Sequence, residues 1–423
     1  MSVESLHPGS LPSTGGTPTG QAASANPREP SFFQDPYAFY AQRHANGPRF
    51  FWSEYGMWCF ASFDDVNALL RDRRFGRQIL HVATREELGW PPPKPHLADF
   101  DLTERYSLLS LEPPAHTRLR TLVNRAFVSR QVERLRPGIE TLANELVDGF
   151  EDRGEVELID AFATPIPVIV IADMLGVPRQ DAPLLLDWSH RMVQMYMFEP
   201  SEATERDANQ AASDFLDYLR KLVARRRVAM GDDLLSHMIS AEQDGQRLTE
   251  DELVSTAILL LNAGHEATVH TTGNAVKSIL ESGLDRGELF ASPEQTERTV
   301  EECLRFDAPL HMFTRFALSD IDLGDGIALK KGEEIGLLLG AANRDPARFG
   351  HANRFDPFRT DGQNVSFGAG IHFCIGAPLA RIEMQTALRV LFARLPHLRL
   401  ARAPLYRDVY HFHGLDGLWV SWG

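Results

Sequence analysis

The chain has 423 residues, 58 acidic and 43 basic, for a formal net charge of −15, a balance that argues against wrapping nucleic acid or lying on an anionic membrane. With 43% hydrophobic and 24% charged residues it has ordinary globular composition, which excludes a disordered, collagenous or coiled-coil chain. Three scattered cysteines, Cys59, Cys303 and Cys374, are too few for a disulfide framework or a cluster held by four thiolates, and they fit a reducing interior.

Residues 1–30 are rich in Ser, Gly, Thr and Pro without a hydrophobic period, so a disordered tail is expected there, with one domain over 31–423. The first basic residue is Arg28 and no apolar run reaches the roughly 18 residues of a membrane span. A cytoplasmic monomer without a membrane anchor is therefore expected. Alternation in Arg49–Phe60 predicts a hairpin turning at Gly56, followed by a helix over Asp64–Arg71. The Pro91-Pro92-Pro93 run marks an irregular loop over Gly89–Asp101, whereas Gln131–Phe150 and Ala208–Val228 carry helical spacing. Short strands are expected at Phe313–Ala317, Ile335–Leu339 and Leu418–Trp422. The class is mainly α (α+β), a helical body with a small sheet.

The longest predicted helix opens with a capping box, Thr249 and Glu252, and runs to Ser282 before Gly283. Within it, Ala263-Gly264-His265-Glu266-Ala267-Thr268 contradicts both helix propensity and a dry core. The His265-Glu266 pair begins like a His-Glu-x-x-His zinc signature, but the second position is Val269. His270 stands about 140° around the helix from His265, so a metalloprotease is rejected. Gly368-Ala369-Gly370 begins like a dinucleotide loop, but Phe373 replaces the third glycine and no strand–helix–strand unit surrounds it.

The segment Phe367-Gly368-Ala369-Gly370-Ile371-His372-Phe373-Cys374-Ile375-Gly376 combines glycines suited to a tight loop with a helix expected just after Cys374. A cysteine at a positive helix end is favoured as thiolate, the ionised form that ligates a metal. This segment resembles the Phe-x-x-Gly-x-His/Arg-x-Cys-x-Gly haem-binding loop of the cytochrome P-450 family. Other marks of that family follow in its order. Glu302-Cys303-Leu304-Arg305 resembles the Glu-x-x-Arg pair, on a helix opened by Ser292, Pro293 and Gln295, with Arg359 as the counterpart of the family's third partner. Alone, Glu302 and Arg305 would more often be a surface i,i+3 pair. His116 and Arg120, one turn apart, resemble the family's donors to the haem propionates, joined by positions matching Arg315 and His372.

The resemblance implies a single-domain cytochrome P-450 fold holding haem b between the long helix and the Cys-loop helix. Cys374 is then the iron ligand, with Phe367 beside the sulfur and Gly376 also among the cofactor-binding residues. Gly264 would leave room for O2, and Glu266 would feed protons to it. Ala267 departs from the family's usual threonine, and Thr268 is displaced about 100° from that position. The function so implied is monooxygenation of a small lipophilic substrate, by hydroxylation or oxidative demethylation. Electrons would come from NAD(P)H through a separate ferredoxin and ferredoxin reductase, with Arg118 and Arg125 as candidate docking cations. A peroxide-driven peroxygenase and a non-catalytic haem sensor or carrier are the alternatives. By resemblance, substrate-facing residues are expected from Ile79–Asp101, Met192–Phe198, Ala263, Ala267, Leu310–Phe313 (Leu310, His311, Met312 and Phe313) and the Phe412 turn, with His311 or His411 as polar anchor.

Overall fold

The long helix runs from Glu250 to Ser282 in a computed structural model of the chain that describes residues 21–126, 132–197, 200–243 and 245–423. Thr249 caps it as its sequence predicts. The hydroxyl accepts from the Glu252 amide at 3.2 Å, and the Glu252 carboxylate accepts from the Thr249 amide at 2.9 Å. At the far end Gly283 adopts φ 68°, a left-handed stop that a side chain would strain. The rod of 33 residues is about 50 Å long. Helices Pro165–Leu175, Glu202–Val228, Pro293–Phe306 and Ala377–Arg394 pack along it. Three of its buried hydroxyls need no outside partner, because Thr268, Thr271 and Thr272 donate to the carbonyls of Gly264, Ala267 and Thr268, one turn back.

A six-stranded mixed sheet covers one end of this helical body, in the order Ala22–Ala23, Arg49–Trp52, Met57–Phe60, Glu334–Leu337, Phe313–Ala317, Phe75–Gly76. The expected hairpin is present, with Arg49 opposite Phe60 and Trp52 opposite Met57. Gly56 at φ 62° makes its turn. Phe313–Ala317 pairs antiparallel with Glu334–Leu337, setting Arg315 opposite Ile335. The hydrophobic core is continuous through the helices, with separate clusters under the sheet.

Several boundaries differ from the sequence reading. Residues 1–20 of the expected tail lie outside the described residues, but 21–30 belong to the fold. Ala22–Ala23 pairs with Phe51–Trp52, and the Trp52 indole donates to the Ala25 carbonyl at 2.9 Å. The helix expected from Ala208 starts at Glu202, because the Ser201 hydroxyl accepts from the Thr204 amide. The one expected from Gln131 is described as Arg136–Asp148, Gln131 itself lying outside the described residues. Ser292 caps Pro293–Phe306, but the Gln295 side chain donates to the Pro357 carbonyl instead of closing a box. Among the described residues no helix is long and apolar enough to cross a membrane.

Candidate active site

The loop before the last long helix is built to present one thiol. Gly368 and Gly370 have φ 68° and 72°, and a Cβ on Gly370 would meet the Leu70 carbonyl oxygen at 2.6 Å, so only glycine fits there. The Cys374 amide donates to the Phe367 carbonyl at 3.0 Å, closing the loop, and Ala377–Arg394 starts directly after Gly376. The Cys374 side chain opens onto a large internal cavity. Burial pushes its thiol up, and the pull of the Gly376 and Ala377 amides and of Arg120 and Arg381 in the other direction is smaller. The thiolate therefore needs a cation beside it. Cys59 and Cys303 are buried elsewhere, in the sheet and in Pro293–Phe306.

A buried charge network holds this loop against the body. Arg305 donates to both oxygens of Glu302, at 2.7 and 2.8 Å, and Arg359 Nε stands 2.8 Å from Oε2. Both Glu302 and Arg305 are 2% exposed, so the surface-pair reading is excluded. The remaining Arg305 donors take the carbonyls of Asn343, Ala352 and Arg354. Glu302 also accepts from the Asp356 amide at 2.7 Å. Ser366, immediately before Phe367, donates to the Leu304 carbonyl and accepts from Asn343. The helix carrying Glu302 thus fixes the start of the cysteine loop.

The cavity encloses about 1590 Å³ of space between atoms, its mouth included, and its lining is mostly apolar. One flank comes from the long helix: Ala263, Gly264, Ala267, Thr268 and Thr271. A Cβ on Gly264 would make only ordinary contact with Ile171, at 3.4 Å, so protein packing does not demand the glycine. The other flank includes Phe367, Cys374, Gly376 and Glu383. Leu310 and Phe412 reach the cavity together because their backbones form an isolated antiparallel bridge.

Its polar side is cationic. Arg77, Arg120 and His372 line it, with His116 and Arg315 just behind. Arg77 and Arg315 both donate to the Thr314 carbonyl, at 3.1 and 2.9 Å, and Arg120 donates to the Phe373 carbonyl at 2.6 Å. His372 Nε2 donates to Glu112 at 3.2 Å, leaving a buried Nδ1 without a partner. His116, its ring 4.6 Å from that of His372, has a buried Nε2 in the same condition. Burial and the neighbouring cations push His116 down to about 4, and burial with Arg77 beside it pushes Arg315 down to about 9. Two orphaned ring nitrogens among arginines make a site waiting for carboxylates. Arg77 was missed by the sequence reading, since a lone arginine after a two-residue strand carries no pattern.

Several expected pocket residues are elsewhere. His311 is fully buried in a polar cluster, its Nδ1 2.7 Å from the Tyr40 hydroxyl and its ring 4.4 Å from that of His413. His411, not His311, lines the cavity. Strand alternation sends Phe313 to the cavity and Met312 to the opposite side, against Gly336 and the Cys59 layer. Met192 and Met195 are core residues, and Met197 lines a separate crevice, leaving Tyr196 as the lining residue of that stretch; Phe198 lies outside the described residues. No residue of Ile79–Asp101 lines the cavity; Ile79 and Leu88 pack on Phe316. Arg118 is tied to Glu252 and the Arg247 carbonyl, so it is not a free docking cation.

Comparison with known proteins decides what this cavity belongs to. The sequence model described as Cytochrome P450 matches residues 78–281 and 294–397. The chain belongs to the cytochrome P450 family. It is 36% identical to the polyketide biosynthesis cytochrome P450 PksS of Bacillus subtilis, over 88% of this chain and 90% of the relative. It is also 36% identical to the 6-deoxyerythronolide B hydroxylase of Saccharopolyspora erythraea, over 92% and 96%. Among solved structures, P450BioI in complex with acyl carrier protein ligated to hexadec-9Z-enoic acid superposes with a TM-score of 0.86 at 34% identity, covering 93% of this chain and 100% of that one. The protein is thus a P450 monooxygenase, an oxidoreductase of a family that carries haem-thiolate iron and uses O2.

The residues present fit that group. One thiol faces an apolar slot, and unpartnered imidazole nitrogens and guanidiniums stand at one side of it, where two carboxylates would be neutralised. Over the slot stands Ala267, the position at which the family resemblance implies a threonine. The helix is regular there, and Thr268 lines the cavity beside Ala267 with its hydroxyl 3.3 Å from the Gly264 carbonyl. Glu266 does not line the cavity. It faces three imidazoles, His270 at 3.3 Å, His190 at 3.4 Å and His265 at 3.6 Å. Burial opposes its charge, but His265 and His270 outweigh it and hold the carboxyl well below the usual range.

Proposed function

We propose that this P450 works in the cytoplasm as a monomer and inserts one atom of O2 into a small lipophilic substrate, by hydroxylation or oxidative demethylation. Electrons come from NAD(P)H through a separate ferredoxin and ferredoxin reductase. Cys374 is the protein ligand of haem b, and Arg77, His116, Arg120, Arg315 and His372 bind its propionates. One observation carries this reading: the Cys374 thiol and the Ala263–Thr268 face of the long helix open onto the same apolar cavity. When bound, haem-thiolate iron supplies the reductive activation of O2.

The chain's own residues supply the rest. Leu310, Phe313 and Phe412 bury the substrate and exclude water, with His411 as its polar neighbour. Phe367, gripped by the Arg381 guanidinium 4.6 Å above its ring, shields the sulfur. Glu266, held as a carboxylate behind the helix, passes protons on rather than storing one, and the Thr268 hydroxyl stands in for the one absent at residue 267.

Cys374→Ser is the direct test. The variant is expected to lose the thiolate-specific absorption of the carbon monoxide complex; retention of that band overturns the ligand assignment. Product formation with ferredoxin, reductase and O2 is expected of the wild type. Product with peroxide but none with reductant would establish the peroxygenase instead, and substrate binding without product in either assay a sensor or carrier.

A further inference from the structure

Behind the cavity wall, the long helix and Ala182–Val193 enclose a second cluster of donor groups. Residues 263, 264, 267, 268 and 271 share the helix face on the cavity, and at about 100° per residue His265 and Glu266 project from the opposite flank. His190 comes to meet them from the neighbouring helix. We propose that His190 Nε2, His265 Nε2 and Glu266 Oε1 form a binding site for a divalent cation, Zn2+ by its donor set.

The geometry is that of a chelate. Glu266 Oε1 lies 3.4 Å from His190 Nε2 and 3.6 Å from His265 Nε2, and all three donor atoms fall within 4.8 Å of one another. Donors held 2.0–2.1 Å from a tetrahedral metal stand about 3.3 Å apart, so small side-chain adjustments close the set.

Each donor is also prepared. His265 Nδ1 donates to the Leu261 carbonyl at 2.8 Å, which leaves the lone pair on Nε2. That Nε2 is buried and has no hydrogen-bond partner, on a residue only 3% exposed. The other carboxylate oxygen of Glu266, Oε2, lies 3.3 Å from His270 Nε2, which orients the carboxylate without competing for Oε1. His190 is half exposed, so the site opens to solvent there, and a water can complete the fourth position. Two imidazoles and one carboxylate suit zinc and disfavour calcium or magnesium, which want oxygen alone.

Zinc there would bind Glu266 and withhold it from proton delivery, a consequence that rests on the role proposed for Glu266 above. Binding itself does not rest on it, so the two are measured separately. Untagged, haem-loaded protein is stripped with chelator and dialysed against micromolar Zn2+, then its zinc and iron are counted by mass spectrometry. One zinc per iron is expected for the wild type and none for His190→Ala or His265→Gln. His270→Ala is expected to weaken binding about 10- to 100-fold. Anomalous diffraction at the zinc edge should place the ion among the three named atoms. If His265→Gln fails to take up haem, His190→Ala, at the exposed rim, still decides. Absence of zinc from the wild type, zinc undiminished in either variant, or equally tight calcium overturns the site. Bound zinc with unaltered turnover leaves the site standing and overturns the proton-delivery role of Glu266.

Discussion

Two buried glutamates of this P450 show how local partners set opposite charge states. Glu266 is kept ionised by its ring of imidazoles, whereas Glu383, on the cysteine helix, has an Oε1 with no partner, and burial pushes its carboxyl up to about 8. The consequence for stability has a definite sign. Between the ordinary carboxyl range near 4.5 and about 8, the folded protein holds a proton on Glu383 that the unfolded chain has released. Stability contributed by this group therefore falls as pH rises through that window. Glu383→Gln removes the titration at nearly equal volume. The variant is expected to match the wild type near pH 4 to 5 and to exceed it increasingly toward pH 8, read as the difference in urea midpoints across the pH series. A difference that does not grow with pH would show that Glu383 finds a partner in the loaded protein. Sequence gave no hint of Glu383, because Arg381-Ile382-Glu383 reads as an ordinary helical alternation and the missing partner is visible only in three dimensions.

At the scale of elements, the grip of Pro293–Phe306 on the cysteine loop is the joint on which the site depends. Glu302 and Arg305 were legible as a motif by resemblance, but i,i+3 spacing alone cannot distinguish a surface pair from a buried one. Burial here comes from residues 343–356, whose carbonyls and amide complete the pair, and those contacts span long sequence distances. Removing one charge from such a buried pair costs about 3–5 kcal/mol because the other remains desolvated. Glu302→Ala is accordingly expected to lower the unfolding free energy by roughly that amount and to reduce haem content during expression. Arg359→Ala should lose less, since its side chain is more exposed and shares its charge with Asp361. Denaturant unfolding and the haem-to-protein absorbance ratio check both; equal losses for the two variants would mean that Arg359, not the Glu302–Arg305 pair, closes the joint. The caps of the long helix were readable for the opposite reason, because Thr249, Glu252 and Gly283 act within one turn of chain.

Across the whole molecule, what could be read in advance was what short-range pattern dictates: the hairpin, the long rod, the glycine loop and its thiol. What could not be read was direction. His311 and His411 are equivalent in sequence, yet one is captured by tyrosines and the other faces the cavity, and Met312 is turned away by the pleat that turns Phe313 inward. Arg77 is the sharpest case, for it joins residues far along the chain into a single cationic wall. Under the role proposed for it, that wall couples haem binding to stability. Arg77, Arg120, Arg315 and His372, with His116 behind, gather like charge on one side of the cavity, and burial lowers the pKa of each of them. A bound group bearing two carboxylates relieves that cost, whereas an uncharged analogue of the same shape fills only the apolar slot. Reconstitution with haem dimethyl ester in place of haem separates the contributions. The ester form is expected to bind at least about tenfold more weakly, the minimum for losing one charge-assisted hydrogen bond of 1.5–3 kcal/mol. It is also expected to melt lower at equal saturation, and Arg77→Ala should weaken haem binding while barely affecting the ester. Because a relieved histidine takes up a proton, haem affinity should fall as pH rises above about 4, where unliganded His116 has lost its proton, and the ester should show a flatter profile. Equal affinity of haem and ester, or an Arg77→Ala loss of the same size for both, would mean that the cationic wall serves the fold alone and that the apolar slot and Cys374 hold the group unaided.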